Sequence, residues 1–220
     1  MKKLIVSFAL MLSLSTLAFA QSILTASEFF KSVSDYYESI SDYEADIDIS
    51  VGNTVMSGKV SFKRPEMLRI DFTNPSEQVI LFNGDNLTIY LPGYSAILEQ
   101  AVDGVSAATA TSQGLSLLRR YYTMSYETGQ DPVPLDGNSE DMVVNLIFYR
   151  RTSTEAFSRI KISFEADSKR IRRVVANTPQ GETFTFDLTG YRINTGLSDQ
   201  RFIYDPPSSA NDYNNFLFSE

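Results

Sequence analysis

The chain has 220 residues, and its 19 basic and 27 acidic side chains give a formal net charge of −8. It contains no cysteine and no histidine, which excludes disulfides, thiolate metal sites, a cysteine nucleophile and histidine acid–base chemistry. The acidic balance disfavours nucleic acid as a partner, because phosphate contacts need clustered lysine and arginine. We therefore expect a protein that is not an enzyme and that uses neither a metal nor another cofactor.

Residues 1–20 have the pattern of a secretory signal. Lys2 and Lys3 form a basic start, an apolar run extends from Leu4 to Leu17, and residues 18–20 fit the small-x-small cleavage rule. The apolar run is short for a membrane span. The sequence thus predicts a cleaved signal peptide over residues 1–20 and one exported domain over residues 21–220.

A helix is predicted at the start of this domain. Thr25 and Glu28 have the spacing of a capping box. The apolar residues that follow recur at helical spacing: Phe29, Phe30, Val33, Tyr36, Tyr37 and Ile40. This pattern predicts an amphipathic helix over residues 26–40 whose aromatic face packs on a core.

From Tyr43 the hydrophobic period changes to two, which predicts a strand from Tyr43 to Val51. Further short strands with the same alternation are predicted at residues 54–62, 67–73, 77–82, 86–91 and 95–100. In the third strand Leu68, Ile70 and Phe72 share one face and the charged residues share the other. The short connections indicate an antiparallel meander.

The second half of the chain repeats this organisation after an interruption. Residues 101–113 are small and hydroxyl-rich and predict a loop, and residues 114–122 predict a short helix with a solvated end at Arg119 and Arg120. Residues 129–141 predict a surface loop, and strands are predicted at 142–149, 157–165, 171–177 and 182–188. The predicted fold class is mainly β (α+β): a single antiparallel sheet that curls, with short helices covering its concave apolar face.

Several stretches resemble the periplasmic outer-membrane lipoprotein carrier family (LolA). They include residues 58–70 (GKVSFKRPEMLRI), 78–80 (QVI), 114–118 (GLSLL), 181–183 (GET) and 202–207 (FIYDPP). The resemblance implies a half-open barrel lidded by helices. Members of this family take acylated lipoproteins from an inner-membrane transporter and deliver them to an outer-membrane receptor.

The resemblance also implies roles for individual residues. Arg64 matches the arginine that hydrogen-bonds to the lid and helps govern its opening, while Leu68 and Ile70 replace residues that are commonly aromatic. The candidate lipid-binding cavity comprises Leu68, Ile70, Phe72, Leu87, Ile89, Ile162, Phe164, Phe184 and Phe186 on strands, with Leu117 and Leu118 facing it from the lid. For each of these side chains, ordinary core packing is the alternative.

We therefore expect a monomeric periplasmic carrier that binds the acyl chains of lipoproteins or lipids in a hydrophobic cavity and delivers them toward the outer membrane. The expected partners are acylated lipoproteins, an inner-membrane donor transporter and an outer-membrane acceptor. The alternative is a lipid- or lipoprotein-sensing regulatory module, because one scaffold can host several functions.

Overall fold

The computed structural model describes residues 24–101 and 112–214. The predicted signal peptide over residues 1–20, most of the predicted loop at 101–113 and the extreme C-terminus lie outside the described residues. The described part contains two α-helices, α1 (Ala26–Glu38) and α2 (Ser112–Tyr121). Its strands are β1 (Asp42–Val51), β2 (Thr54–Lys63), β3 (Met67–Asn74), β4 (Ser76–Phe82), β5 (Asn86–Leu91), β6 (Ala96–Ala101), β7 (Tyr122–Tyr126), β8 (Val133–Pro134), β9 (Met142–Arg150), β10 (Arg159–Glu165), β11 (Ile171–Asn177), β12 (Thr183–Ile193) and β13 (Asn211–Asn214).

The first helix begins as the sequence predicts. The backbone N–H of Glu28 donates to Thr25 Oγ1 at 3.2 Å, and the Thr25 N–H donates to Glu28 Oε2 at 2.9 Å. This reciprocal capping satisfies two donors that a helix start leaves unpaired. The helix ends at Glu38, two residues before the predicted end, and its buried face includes Phe30 and Val33.

All of these strands belong to one sheet. From one edge to the other the strand order is β13-β6-β5-β4-β3-β2-β1-β12-β11-β10-β9-β7, and β8 pairs with β9. The pairing of β1 with β12, for example Ile47 opposite Leu188, joins the two meanders. The predicted single curled sheet is confirmed, with the difference that β13 is parallel to β6.

Four strands differ from the sequence-based prediction. β8 lies within the predicted loop at 129–141, β13 is not predicted, and β7 and β12 differ as follows. β7 pairs with β9 through register positions such as Met124 opposite Phe148, although the sequence pattern predicts no strand at residues 122–126. β12 continues to Ile193, five residues beyond the predicted end at 188, because its final part pairs with the start of β1. β7 and the extension of β12 both depend on partners that are distant in sequence.

The core lies between α1 and the concave face of the sheet. Its members on the helices are Phe29, Phe30, Val33, Tyr37, Leu115 and Leu118. Opposite them lie buried side chains of β1 and β9–β12, including Ile47, Leu146, Phe148, Ile162, Phe164 and Val174. α1 therefore covers the part of the concave face formed by β1 and the second meander.

The segment between β12 and β13, residues 195–210, lies on the outer face of β3–β6. Phe202 is buried there in a second cluster with Val79, Leu81, Tyr90 and Ile97. The Asp42 carboxylate accepts hydrogen bonds from the backbone N–H groups of residues 195 and 196 at 2.9 and 3.1 Å. This segment shields the convex side of the sheet, so the apolar surface of interest is the concave one.

The predicted surface loop at residues 129–141 folds over the other flank of the outer face. Asp136 pairs with Arg173 at 2.8 Å, and Asp141 pairs with Arg172 at 3.0 Å. Within residues 24–101 and 112–214, no helix is both long and apolar enough to cross a bilayer.

Candidate functional site

Two rows of apolar side chains cross the concave face of the first meander. Because alternate residues of a strand face the same side, the strand register defines each row. One row comprises Tyr43, Phe62, Leu68, Phe82 and Leu87. The other comprises Ala45, Val60, Ile70, Ile80, Ile89 and Leu98. The concave face is thus continuously apolar from β1 to β6.

The second meander continues this surface beneath α1. Ile49 lies opposite Phe186, Phe186 opposite Val174, and Val174 opposite Ile162. Phe164 contacts the aromatic face of the helix, with its ring 5.8 Å from that of Phe29. Ile162 and Phe164 are fully buried, so in this conformation they pack between sheet and helix.

Burial divides the predicted cavity residues into three groups. The first group, Ile70, Phe72, Leu118, Ile162 and Phe164, is buried in the core. The second, Leu68, Phe184 and Phe186, is partly buried and packs against that core. The third, Leu87, Ile89 and Leu117, is partly exposed and outside the buried cluster. The accessible part of the concave surface therefore lies on β3–β6.

Two residues of this accessible surface are absent from the predicted set. Ile80 lies between Ile70 and Ile89 in the cross-strand row, and Leu98 extends the row on β6. Both are partly buried. Because alternate residues of a strand face the same side, the predicted strands at 77–82 and 95–100 contain the information that places Ile80 and Leu98 on the concave face.

Arg64 lies in the connection between β2 and β3, at the C-terminal end of α1. Its guanidinium donates a hydrogen bond to the backbone carbonyl of Glu38, and its backbone N–H donates to the Ser41 carbonyl at 3.0 Å. The last carbonyls of a helix lack intrahelical partners and carry partial negative charge, so an arginine is favourable there. The side chain of Arg64 is exposed, and its role in opening stays a prediction.

A buried hydrogen bond between Tyr37 and Ile171 also attaches α1 to the sheet, and Tyr191 of β12 bonds to the same residue. The Tyr37 hydroxyl accepts from the backbone N–H of Ile171 at 2.9 Å, and the Tyr191 hydroxyl donates to the Ile171 carbonyl at 2.7 Å. Burial raises the pKa of both tyrosines far above its usual value. Both phenols are therefore neutral at physiological pH and serve as hydrogen-bonding groups.

The concave side offers apolar contact and few groups for chemistry. Tyr43 is buried on this side, and burial raises its pKa as well, so this phenol also stays protonated near neutral pH. Over the described ranges, no three acidic side chains are grouped closely enough to hold a metal ion. A groove of about 550 Å³ at the β1–β2 and β11–β12 turns is separate from the apolar rows and is lined by Ser50, Val51, Gly52, Gly181, Glu182, Thr183 and Thr185.

The amino-acid sequence is related to carriers of outer-membrane lipoproteins. The family described as outer membrane lipoprotein carrier protein LolA matches residues 52–205. The outer-membrane lipoprotein carrier protein of Haemophilus ducreyi is 27% identical over 206 residues, which cover 87% of this chain and 92% of that protein. The protein of the same name from Pseudomonas paraeruginosa is 23% identical over 154 residues, covering 69% and 68%.

Solved structures share the fold at low identity. An uncharacterized conserved protein from Thermus thermophilus superposes with a TM-score of 0.57 at 12% identity, covering 84% of this chain and 98% of that one. A chain in the MucA/MucB complex of Pseudomonas aeruginosa superposes with a TM-score of 0.52 at 8% identity, and this chain spans 62% of its length. Since the family match extends over more than half of the sequence, and the sheet is the curled one that the resemblance implies, the chain belongs to the outer membrane lipoprotein carrier protein family.

Proposed function

We propose that this protein binds the acyl chains of lipoproteins on its concave face and carries them toward the outer membrane. The supporting observation is the row of partly buried aliphatic side chains formed by Ile80, Ile89 and Leu98. Each methylene that leaves water for such a surface contributes about 0.8 kcal/mol. An acyl chain therefore gains several kcal/mol by lying along this row, without a covalent bond to the protein.

The two parts of the concave face have different roles in this proposal. The part under α1 is filled by the protein's own side chains, among them Ile162 and Phe164, and serves as the structural core. The part on β3–β6 receives the cargo, with Leu68, Leu87 and Ile89 as contacts. Leu117 and Leu118 of α2 contribute from the covering side.

In this proposal the binding surface serves transport of lipoproteins through the periplasm. The relatives are named outer-membrane lipoprotein carrier proteins, and the sequence begins with a pattern typical of export. We infer a monomeric, non-enzymatic carrier in the periplasm, which receives its cargo from an inner-membrane transporter and passes it to an outer-membrane acceptor. Arg64 restrains the C-terminal end of α1 during this cycle.

Ile89→Asp tests the proposed binding surface. Ile89 is partly exposed on the concave face, so a carboxylate there disturbs the core little but places charge against the acyl chain. We expect the dissociation constant of a fluorescent fatty acid, measured by titration, to rise at least fivefold, which corresponds to about 1 kcal/mol. Loss of one apolar contact and the cost of desolvating the new charge both act in this direction.

Val55→Asp is the matched control for this experiment. Val55 is also a β-branched residue on a strand and is 53% exposed. Its neighbour Met56 packs against the core, so the side chain of Val55 lies on the opposite, outer face of the sheet. The control adds the same charge to the other face of the sheet, and its dissociation constant should stay within about twofold of wild type. Equal losses in both variants, with folding verified by circular dichroism, would refute the assignment.

A second candidate function is a sensing module that binds a regulatory membrane protein. The observation in its favour is the structural similarity to a chain in the MucA/MucB complex. Purification from the native periplasm, followed by mass spectrometry of bound proteins and of organic extracts, separates the two functions. Bound lipoprotein supports the carrier, whereas a single regulatory protein without lipid supports the sensor.

A further inference from the structure

Four arginines form a positively charged corner on this acidic protein. Most of the other basic side chains are in ion pairs, such as Arg69 with Asp71 at 2.8 Å and Lys31 with Asp35 at 2.7 Å. Among the described residues, Arg64, Lys169 and four further arginines are in no ion pair, and these four arginines belong to adjacent segments of the chain. We call this set the arginine corner, and its members are Arg119, Arg120, Arg150 and Arg151.

The connection from α2 to β7 brings these residues together. α2 passes directly into β7, whose first residue, Tyr122, lies opposite Arg150 of β9. The backbone N–H of Arg151 donates to the Tyr121 carbonyl at 2.9 Å. The end of the helix and the β9–β10 turn are therefore adjacent, although they are distant in sequence. Arg119, Arg120 and Arg151 are all exposed.

Within the corner, the Arg150 guanidinium donates to the carbonyls of Ser153 and Glu155, both at 3.4 Å, whereas Arg119, Arg120 and Arg151 are exposed to solvent. The Arg120 guanidinium is 5.4 Å from the centroid of the Tyr121 ring, which restrains the side chain and leaves its edge free for hydrogen bonds. Glu155 is the acidic residue of the neighbouring turn, and its Oε1 accepts from the hydroxyls of Thr152 and Thr154 at 3.4 and 3.3 Å. Its carboxylate therefore forms hydrogen bonds within its own turn.

The dipole of α2 accounts for the positive charge of only two residues of the arginine corner. Arg119 and Arg120 lie in the last turn of α2, where positive charge stabilises a helix. Arg150 bonds to carbonyls of its own turn, but the dipole of α2 does not require the further charge of Arg151, which is exposed. Four like charges at one site repel one another, so they are favourable when a partner supplies negative charge.

We propose that the arginine corner docks an acidic segment of a partner protein. Arginine presents a planar fork that matches a carboxylate in two parallel hydrogen bonds, and this set contains no lysine. The net charge of −8 repels an acidic partner from the rest of the surface, so the corner also orients the approach. An anionic bilayer would meet much more of the acidic surface than a short peptide does, which favours the peptide.

This docking site is independent of acyl-chain binding, but it lies at the end of a covering helix. α2 carries Leu118, which is buried in the core, and Leu117, which is partly exposed. A partner held at the last turn of α2 is thus next to a helix that packs against α1 and the core.

The test measures binding of a short fluorescein-labelled polyglutamate peptide to the full chain by fluorescence anisotropy at low salt. An uncharged glycine–serine peptide of equal length is the ligand control. The triple variant Arg119→Gln, Arg120→Gln, Arg151→Gln should weaken polyglutamate binding at least tenfold, while the corresponding Arg→Lys variant should recover only part of the affinity. Added salt should weaken wild-type binding, because the contacts are exposed.

The matched protein control removes three positive charges elsewhere: Lys31→Gln, Lys59→Gln, Arg192→Gln. Lys31 and Lys59 form exposed ion pairs of small energetic weight, and Arg192 is the exposed partner of the largely buried Glu44. None of the three belongs to the arginine corner, so polyglutamate affinity should change less than about twofold. Equal losses in both triple variants would overturn the proposal, as would absence of polyglutamate binding by wild type.

Binding to phosphatidylglycerol vesicles tests whether an anionic membrane, and not an acidic peptide, is the partner of the arginine corner. Arginine-dependent binding to the vesicles that exceeds binding to polyglutamate would assign the corner to a membrane and overturn the proposal. Fatty-acid binding is measured in parallel, and it should be unchanged in the glutamine variant because Ile89 and its neighbours are intact. If the triple variant does not fold, the single substitution Arg151→Glu in the exposed turn tests the same surface.

Discussion

Replacing Arg64 with leucine removes the donor to the Glu38 carbonyl and shows how much this contact contributes to holding α1. Arg64 is exposed, and exposed charged contacts contribute about 0.2–1 kcal/mol because solvent screens them. In contrast, α1 buries Phe29, Phe30 and Val33 against the sheet. Each such side chain contributes about 1.5–3 kcal/mol when it is fully buried.

The comparison of these magnitudes predicts a local effect. The three apolar side chains together contribute several times more than the single hydrogen bond, so α1 should stay docked in Arg64→Leu. Only its last turn, near Tyr37 and Glu38, should become more mobile. The free energy of unfolding should fall by no more than about 1 kcal/mol.

Hydrogen exchange of backbone amides measures this directly. We expect protection to decrease in residues 36–41 and to remain in residues 28–34 of Arg64→Leu, and Arg64→Lys should show a smaller change. Phe30→Ala is the contrasting variant, because removing a buried aromatic ring costs about 3–5 kcal/mol and should loosen the entire helix. Loss of protection along all of α1 in Arg64→Leu would refute the reasoning.

The same variant tests the proposed role of Arg64 in cargo release. If the hydrogen bond favours the empty, closed state, Arg64→Leu should load cargo normally and release it poorly to acceptor membranes. Transfer is compared with loading in the same preparation. Equal transfer by wild type and Arg64→Leu would show that Arg64 is an ordinary surface residue of the rim.

Two further predictions concern the sheet and its outer face. A Cβ on Gly58 would lie 2.4 Å from the Asp71 carbonyl oxygen, so Gly58→Ala should force β2 and β3 apart and cost about 1–3 kcal/mol in a denaturation experiment; an unchanged midpoint would contradict this. Burial opposes ionisation of Asp71, but hydrogen bonds and charge from Arg69 and Arg201 outweigh it and lower the pKa of Asp71 below 3.8. A lowered pKa stabilises the folded state at neutral pH, and this contribution is lost as the pH falls below about 4, so Asp71→Asn should flatten the acid limb of the stability curve. Parallel acid limbs for wild type and Asp71→Asn would exclude this role.

Local patterns in the sequence predict most of the fold. The capping box of Thr25 and Glu28 marks the start of α1, and a period of two places Leu68, Ile70 and Phe72 on one face, as the register confirms. Such assignments succeed because they depend on neighbours in the chain. The size of the sheet predicts its curvature and the sequence pattern predicts both helices, while the family resemblance supplies the half-open barrel.

Non-local contacts explain what the sequence does not predict. Burial of Ile162 and Phe164 follows from the path of α1 across the second meander, which no local pattern encodes. Alternation places Arg69 and Asp71 on the outward face, but their partner Arg201 lies 130 residues beyond Asp71 in the chain. Local patterns therefore do not predict that the C-terminal segment carrying Arg201 covers the outer face.

The exposure of the side chains increases gradually along the row that runs from Ala45 to Leu98. This gradient indicates where an acyl chain would enter. Ala45 is 0% exposed, Val60 3% and Ile70 9%, and the row continues through the partly buried Ile80 and Ile89. An acyl chain that adds at the β5 end extends the existing core and does not need to displace α1 from it. Undocking α1 would expose several large side chains at a cost of many kcal/mol, whereas addition at the open end exposes none of them. The proposed carrier therefore needs a mobile cover only over β3–β6, which agrees with the small effect that replacing Arg64 is expected to have on the docking of α1.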